Sequence, residues 1–300
     1  MPRRLTKPNS DDMILRAPLL ARFPWLVHGF STRLGGNSSF VPSRASGRAR
    51  DLNLGNVAWD TALKVSENRR RWLACLHAKD MQLVLNRQFH SDLIRTVDHT
   101  LGPASLPKGD GLITRQPGLL LGILSADCLP ILIVDARQRV VTALHCGWRG
   151  TVRRLAQKAV GRMQMMFGSQ PADLRVAIGP GIRSCCYVVG AEVLDEFAGQ
   201  FPYADSLFRT RSRPLTSLET KHSVMIRPFR FGPGPRLKNE TCLDLPLANV
   251  RQLRDAGVPE SQIASETPCT SCNPELFFSH RRDNGYTGRM MAVVGIRKKA

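Results

Sequence analysis

Short apolar runs bounded by turn residues recur along this sequence, and they predict a protein built largely from buried β-strands. The longest run covers residues 118–134, and similar runs cover Arg139–Leu144, Leu174–Ile178 and Met290–Ile296. Their length and their β-branched residues favour strands over helices. Because Asp127-Cys128 interrupts the longest run, we expect either a pair of strands or one strand with a bulge. Shorter segments of the same character are Val27–Arg33, Met81–Leu85 and Phe277–Ser279.

Three longer segments carry apolar residues at helical spacing, which predicts three α-helices. They cover Asp60–Ala78, the stretch from Thr151 to Met163, and Leu245–Ala256. The middle segment is the most amphipathic, and we expect Thr151 to cap its amino-terminal end. Since this helix lies between two predicted strands, the order favours a crossover in a partly parallel sheet. We therefore predict an α/β fold, a single-domain layered mixed sheet with flanking helices.

The polar segments of the chain set its expected boundaries. Residues 1–20 are polar and basic, and we expect them to be poorly ordered. Residues 203–240 are rich in Arg, Pro, Ser and Gly, which predicts an irregular basic insertion. Because no internal repeat and no clean linker divide the remainder, we predict one catalytic domain over residues 21–300.

The charge balance narrows the expected partners without identifying one. Lys and Arg total 43 against 24 Asp and Glu, a formal net charge of +19, which attracts anions such as phosphate-bearing molecules. The basic residues are scattered and form no nucleic-acid motif, so we expect no specific nucleic-acid binding. No apolar stretch is long enough to span a membrane, and no signal-peptide pattern opens the chain. We therefore expect a cytoplasmic protein whose thiols are reduced, metal-bound or catalytic.

The candidate chemistry lies at the ends of apolar runs, where His90, Cys128 and His145 stand. Two imidazoles and one thiolate can hold zinc with a fourth position open, as in catalytic zinc sites. Asp127 lies within the same apolar run, and an ionised carboxylate there needs a partner. The spacing is not a compact zinc motif, so a second reading stays open from the residues alone. In that reading Cys128 is the nucleophile, and a histidine the base, of a hydrolase acting on an amide or a peptidoglycan precursor.

A series of ordered motifs extends these observations over most of the chain. With them the sequence resembles the laccase-domain family, which is also called YfiH-like or multicopper polyphenol oxidase, and which includes purine nucleoside phosphorylases. The match runs from about residue 25 to residue 296. The matching segments are His28–Arg33, Asn53–Gly55, Gln88–Ser91, Asp110–Thr114, Ala126–Pro130, His145–Gly150, Ile178–Ile182, Cys185–Tyr187, Cys269-Thr270, Phe278–Arg282 and Gly288–Met290.

The resemblance implies a YfiH-like α/β domain related to cysteine-hydrolase-like toxin domains. It also implies zinc held by His90, Cys128 and His145, with copper a less favoured alternative because these residues supply no multicopper array. The implied activity is phosphorolysis of adenosine, inosine, guanosine and methylthioadenosine, with deamination of adenosine. Purine nucleosides and inorganic phosphate are the expected partners, and either a monomer or a homodimer is compatible with the sequence.

Further residues receive roles as hypotheses within this chemistry. A zinc ion would lower the pKa of a water molecule to about 7, and Asp127 is our candidate for shuttling protons. Three arginines, Arg33, Arg149 and Arg281, could grip phosphate, because a guanidinium binds it in two places. We place Arg149 among the catalytic candidates. Asn53 is expected to contact phosphate or sugar.

Overall fold

Two β-sheets packed face to face form the centre of the larger of two compact units in the chain. The computed structural model describes residues 13–40, 50–98, 106–214 and 237–298. The larger unit consists of Met1–Arg183 with Leu245–Ala300, and the smaller unit is Ser184–Asp244.

The strands are short and fall mostly where the apolar runs predict them. In the ranges that the structure describes, six α-helices join them. In chain order the strands are β1 (Ile14–Leu15), β2 (Leu26–Ser31), β3 (Gln82–Val84), β4 (Ile94–Thr96), β5 (Gly111–Thr114), β6 (Leu119–Ser125), β7 (Leu129–Asp135), β8 (Val140–Cys146), β9 (Leu174–Ile178), β10 (Phe208–Pro214), β11 (Leu237–Leu243), β12 (Ile263–Ala264) and β13 (Met290–Ile296). The helices are α1 (Pro18–Ala21), α2 (Ala62–Cys75), α3 (Trp148–Val152), α4 (Leu155–Phe167), α5 (Ala191–Gln200) and α6 (Leu245–Asp255).

Both sheets of the larger unit are mixed, as the sequence predicts. The first has the order β1-β2-β13-β6-β3 and the second the order β12-β9-β7-β8-β5-β4. Parallel pairs are β3 with β6, β4 with β5, and β9 with β12, and the other neighbours are antiparallel. Strands β8 and β9 flank β7 and run parallel to each other. The chain segment with α3 and α4 is therefore the predicted crossover, with one strand between its two ends.

Alternating side chains give the larger unit its layers. In β6, Leu119, Leu121 and Ile123 pack into a core shared with β7 and β8 of the other sheet. Leu120 points the other way and packs with Trp72 of α2. On the outer side of the second sheet, α4 packs against β8 and α6. The resulting layers are helix, sheet, sheet and helices, which confirms the predicted layered α/β architecture.

Two predicted elements differ from the structure. The helix expected from Thr151 is split, because Arg154 adopts a left-handed conformation with φ 63° between α3 and α4. Thr151 lies inside α3, where its buried hydroxyl accepts a hydrogen bond from Asn249 (3.0 Å) and caps nothing. Phe277–Ser279 is a buried loop and not a strand; its side chains enter the core although its backbone joins no sheet.

The polar segments also differ in part from expectation. Of residues 1–20, the first twelve lie outside the described residues, whereas 13–20 supply β1 and most of α1 because Leu20 and its neighbours have apolar surface to bury. In the predicted insertion 203–240, residues 215–236 lie outside the described residues. Its two ends are the paired strands β10 and β11 of the smaller unit, joined by ion pairs from Arg211 and Arg213 to Glu240.

In the described part of the chain, no helix is both long enough and apolar enough to cross a membrane.

Candidate active site

The chain passes from the first sheet to the second at Ala126-Asp127-Cys128, and this connection begins the candidate site. Strand β6 ends at Ser125 and β7 begins at Leu129. Asp127 has φ 89°, a conformation that costs energy for a residue with a side chain. Cys128 is half-buried at the end of this turn. The break in the apolar run therefore marks a change of sheet, the first of the two alternatives that the sequence leaves open.

His145 reaches the same place from the neighbouring strand. It is the second-last residue of β8 and is paired with Pro130 of β7. It is buried, and its Nδ1 lies 2.8 Å from Oδ1 of Asp110. Since Asp110 holds Nδ1, the other ring nitrogen, Nε2, is the one presented to a ligand.

His90 arrives from the loop before β4, and the same carboxylate positions it. The backbone N–H groups of His90 and Ser91 donate to Oδ1 and Oδ2 of Asp110 at 3.1 and 2.7 Å. The Ser91 hydroxyl donates to Oδ2 at 2.7 Å. His90 itself is in the left-handed region, with φ 63°. Asp110, to which the sequence analysis gives no role, therefore connects both histidines. A carboxylate before a strand is common, so the one signal for Asp110 is its place in the matching family segment Asp110–Thr114.

The three side chains converge. Sγ of Cys128 lies 3.8 Å from Nε2 of His90, and the donor atoms of His90, Cys128 and His145 all lie within 4.8 Å of one another. Donors of a tetrahedral zinc ion are separated by about 3.6 Å, from the usual Zn–S and Zn–N lengths. The group could therefore hold a metal ion with only small side-chain movements.

The Cys128 thiol is tightly packed against Gly147, whereas the site is open to solvent at His90. A Cβ atom added to Gly147 would lie 2.9 Å from Sγ of Cys128 and 3.1 Å from Cδ2 of His90. Glycine is therefore the residue that this close approach permits. His90 is exposed to solvent, so a small molecule can approach from that side.

The charges within the group favour a thiolate beside an imidazolium. Burial would raise the pKa of Cys128, but the positive charge of His145 and hydrogen bonds from both histidines outweigh it and lower that pKa. Burial would lower the pKa of His145, and the thiolate and Asp110 raise it instead. Asp110 is buried, yet hydrogen bonds from His145 and Ser91 hold its pKa below the usual value. A thiolate is the form of cysteine that binds metals and attacks electrophiles.

Cys146 provides a contrast to Cys128. It follows His145 in β8, points to the opposite face, and is fully buried. Burial, with the nearby negative charges of Cys128 and Asp110, raises its pKa well above the usual value. Cys146 is therefore a neutral core residue.

The carboxylate of Asp127 is largely occupied by hydrogen bonds. Its Oδ1 accepts from the Thr270 hydroxyl at 2.5 Å, and its Oδ2 accepts from the Ser279 hydroxyl at 3.0 Å and the backbone N–H of Arg281 at 2.6 Å. These bonds hold the segment after residue 269 against the turn that carries Cys128. The geometry favours a positioning role for Asp127; proton transfer by this residue stays a prediction.

The three arginines predicted to bind phosphate occupy different environments. Arg33 is buried, paired with Asp51 at 2.7 Å, and stacked 4.7 Å from the ring centroid of Phe278. Arg149 is exposed beside the site, stacked on the neighbouring Trp148 at 4.5 Å. Arg281 is also exposed, and it touches the site through its backbone. The pairing of Arg33 favours a structural role.

Asn53 is buried, and its amide is used within the fold. Its Oδ1 accepts from the backbone N–H groups of Gly55 (3.2 Å) and Arg289 (3.0 Å), and its Nδ2 donates to Asp60 at 2.8 Å. A contact between Asn53 and a substrate stays a prediction, whereas its position next to Arg289 is observed.

Comparison with known proteins identifies the family. The family model described as multi-copper polyphenol oxidoreductase laccase matches residues 27–297. The chain belongs to this laccase family. The family resemblance predicted from the motifs is therefore confirmed, over nearly the range expected.

Individual relatives of this laccase-family chain cover almost its whole length. Purine nucleoside phosphorylase YlmD of Geobacillus stearothermophilus is 36% identical, over 92% of this chain and 92% of the relative. Adenosine deaminase RL5, from an unknown prokaryotic organism, is 30% identical over 90% and 97%. The crystal structure of Bacillus licheniformis protein YfiH superposes with a TM-score of 0.78 at 32% identity, covering 96% of this chain and 98% of that one. The predicted YfiH-like fold is thus confirmed.

Proposed function

We propose that this laccase-family chain is a zinc-dependent purine nucleoside phosphorylase that also deaminates adenosine. The convergence of His90, Cys128 and His145 within 4.8 Å, open to solvent at His90, is the observation that carries the proposal. The substrate class is supported by relatives named for purine nucleoside phosphorolysis and adenosine deamination. Adenosine, inosine, guanosine and methylthioadenosine are the substrates we propose, with inorganic phosphate as co-substrate.

The donor set favours zinc over copper. Two imidazoles and one thiolate match zinc sites that keep one position open for catalysis. A multicopper oxidase needs several histidine-rich centres. No second histidine-containing ligand group occurs in the ranges that the structure describes.

The chain's own residues prepare this site. A bound zinc ion would supply Lewis-acid chemistry, polarising a ligand in its open position. Asp110 orients His145 through Nδ1 and fixes His90 through its backbone, so both imidazoles need little reorganisation. The low pKa of Cys128 keeps its thiolate available as a ligand near neutral pH. The exposed Arg149 and Arg281 can attract anions to the entrance.

The direct test is incubation of the purified protein with adenosine, with and without inorganic phosphate. We expect adenine and ribose 1-phosphate only when phosphate is present, and inosine in both conditions. Cys128→Ala should lose both activities. The absence of any purine product from the metal-loaded wild-type protein would contradict the proposal.

A second candidate function rests on the series of interactions from Asp110 through His145 to Cys128. The carboxylate binds Nδ1 of His145, and the imidazole raises the thiolate fraction of Cys128. This is the order of groups in a cysteine hydrolase. A metal-free protein that cleaves amides and is inactivated by thiol alkylation would favour this candidate. Protection of Cys128 from alkylation by stoichiometric zinc would favour the phosphorylase.

A further inference from the structure

Arg289 has a guanidinium group whose hydrogen bonds go to backbone carbonyls. Its Nη1 donates to the backbone carbonyls of Thr287 and Gly288 at 3.3 and 2.9 Å. Among the described residues no carboxylate lies within ion-pair distance of it. Two other arginines of this unit are paired with carboxylates, Arg33 with Asp51 and Arg282 with Asp283. Arg289 is half-buried, so its charge is partly removed from water without a counterion.

The sheet places Arg289 beside the turn that carries Cys128. Strand β13 pairs antiparallel with β6, and the last pair is Met290 with Ser125. Continuing this register puts Arg289 next to Ala126, at the connection to Cys128. Burial lowers the pKa of the Arg289 guanidinium. The negative charges of Cys128 and Asp127 act in the opposite direction, as expected for groups that lie close to Arg289.

The segment Asn53–Gly55 holds both the backbone and the side chain of Arg289. Asn53 Oδ1 accepts from the Arg289 N–H at 3.0 Å, and the Arg289 carbonyl accepts from the Leu54 N–H at 3.0 Å. A Cβ atom added to Gly55 would lie 2.6 Å from Cγ of Arg289 and 2.7 Å from its Cβ. The glycine therefore leaves room for the stem of this side chain, and the buried Asn53 orients it.

Phosphate is the anion of the proposed reaction that would complete this arrangement. A partly desolvated guanidinium binds phosphate more strongly than an exposed one, because less water screens the charge. The two negative groups near the Arg289 guanidinium have other partners. Asp127 already accepts three hydrogen bonds, and Cys128 is a proposed metal ligand. Arg149 and Arg281, in contrast, are exposed to solvent.

We propose that Arg289 binds the inorganic phosphate co-substrate beside Cys128, an inference that rests on the proposed phosphorylase function. In this position an oxygen of hydrogen phosphate bonds to C1′ of the ribose while the bond from C1′ to the purine nitrogen breaks. The bonding electrons leave with the purine, which takes up the proton that phosphate releases. The Arg289 guanidinium orients the phosphate oxygens and offsets their charge.

Steady-state kinetics separate this role from a structural one. In Arg289→Gln the KM for phosphate should rise about ten- to a hundredfold, the usual effect of losing a charge-assisted hydrogen bond. Deamination of adenosine, which uses no phosphate, should keep its KM. Arg289→Lys should restore part of the phosphate affinity. The matched control is Arg137→Gln, an exposed arginine paired with Asp173, which should change neither constant. An unchanged KM for phosphate in Arg289→Gln would overturn the inference.

Two further measurements keep the inference testable if that variant fails to fold or the wild type turns over no nucleoside. Gly55→Ala keeps the charge of Arg289 but crowds the aliphatic part of that side chain. This variant should also raise the KM for phosphate. In thermal denaturation, inorganic phosphate should raise the Tm of the wild type more than the Tm of Arg289→Lys. A phosphate-dependent shift in a wild type without nucleoside turnover would support the anion site and reject the proposed function. Equal shifts in wild type, Arg289→Lys and Gly55→Ala would reject the site.

Discussion

Single residues decide the chemistry of this protein, and one carboxylate organises most of them. Asp110 binds Nδ1 of His145 and the backbone of His90 and Ser91. The sequence predicts His90, Cys128 and His145 as a group, because they stand at the ends of apolar runs and the family resemblance implies that they share a zinc ion. It does not predict Asp110 or Arg289, since a carboxylate before a strand and an arginine in a basic chain are ordinary. Arg33 shows the reverse: its motif suggested a ligand contact, but its partner Asp51 can be identified only from the fold.

Replacing Asp110 should weaken the metal site without removing a ligand. In Asp110→Asn the side chain cannot accept all of its hydrogen bonds, and His145 loses its orienting charge. We expect zinc affinity to fall about ten- to a hundredfold, measured by competition with a chromophoric chelator. Asp135→Asn, a buried aspartate at the far end of β7, is the matched control. Equal zinc affinity in Asp110→Asn and the wild type would show that the carboxylate does not support the site.

A second residue-scale prediction concerns His28, which is buried in β2 away from the site. Burial, with the positive charge of Arg16, lowers its pKa to about 4. As pH falls below the ordinary histidine value, the unfolded chain takes up a proton that the folded chain does not. The free energy of unfolding should therefore decrease from about pH 6.5 to pH 4, by on the order of 3 kcal/mol. Urea denaturation of wild type and His28→Gln over this range should show a smaller decrease in the variant; parallel curves would contradict the assignment.

At the scale of elements, the apolar pattern predicts where strands lie but not which sheet each one joins. β9 and β13 match their predicted limits, because short, mostly apolar runs with β-branched residues favour buried strands. The interruption at Asp127 is a change of sheet, which depends on contacts distant in sequence. The break at Arg154, whose backbone is left-handed, escapes prediction because arginine is a good helix former. Phe277–Ser279 has strand composition, yet it is a loop whose buried side chains account for its apolar residues.

The contact between α3 and α6 gives a test at this scale. Thr151 accepts a hydrogen bond from Asn249 through its hydroxyl and from Gln252 (2.8 Å) through its carbonyl, and all three are buried. Thr151→Val keeps the volume but leaves the Asn249 amide with one acceptor fewer. We expect a loss of about 1–3 kcal/mol in the free energy of unfolding, measured by urea denaturation. Thr151→Ser should retain most of the stability. A valine variant as stable as the wild type would mean that this hydrogen bond contributes nothing.

At the scale of the whole molecule, metal binding and folding should be linked. The ligands come from three separate parts of the chain, so the unfolded chain offers no preformed site. Zinc at a thousand times its Kd would add about 4 kcal/mol to the free energy of unfolding. We expect chelation to lower the Tm by several degrees and added zinc to restore it, measured by calorimetry. A Tm that is the same with zinc and with chelator would contradict this linkage.

The net charge of +19 belongs to the same scale. It predicts attraction of anions in general, but the composition alone could not separate a phosphate substrate from a nucleic acid. The structure narrows the question to particular side chains. Most of the basic residues that the structure describes are ion-paired or exposed, whereas Arg289 lies beside the candidate site and forms no ion pair with a described carboxylate.

The most direct test of the account is the zinc content of two cysteine variants, Cys128→Ala and Cys146→Ala. Cys146 is paired with Leu129, the residue that follows Cys128, so the two cysteines lie close together in the fold. Only Cys128 belongs to the proposed ligand group. Elemental analysis should find about one zinc per chain in the wild type and in Cys146→Ala, and almost none in Cys128→Ala. A folded Cys128→Ala protein that keeps its zinc would contradict the central claim.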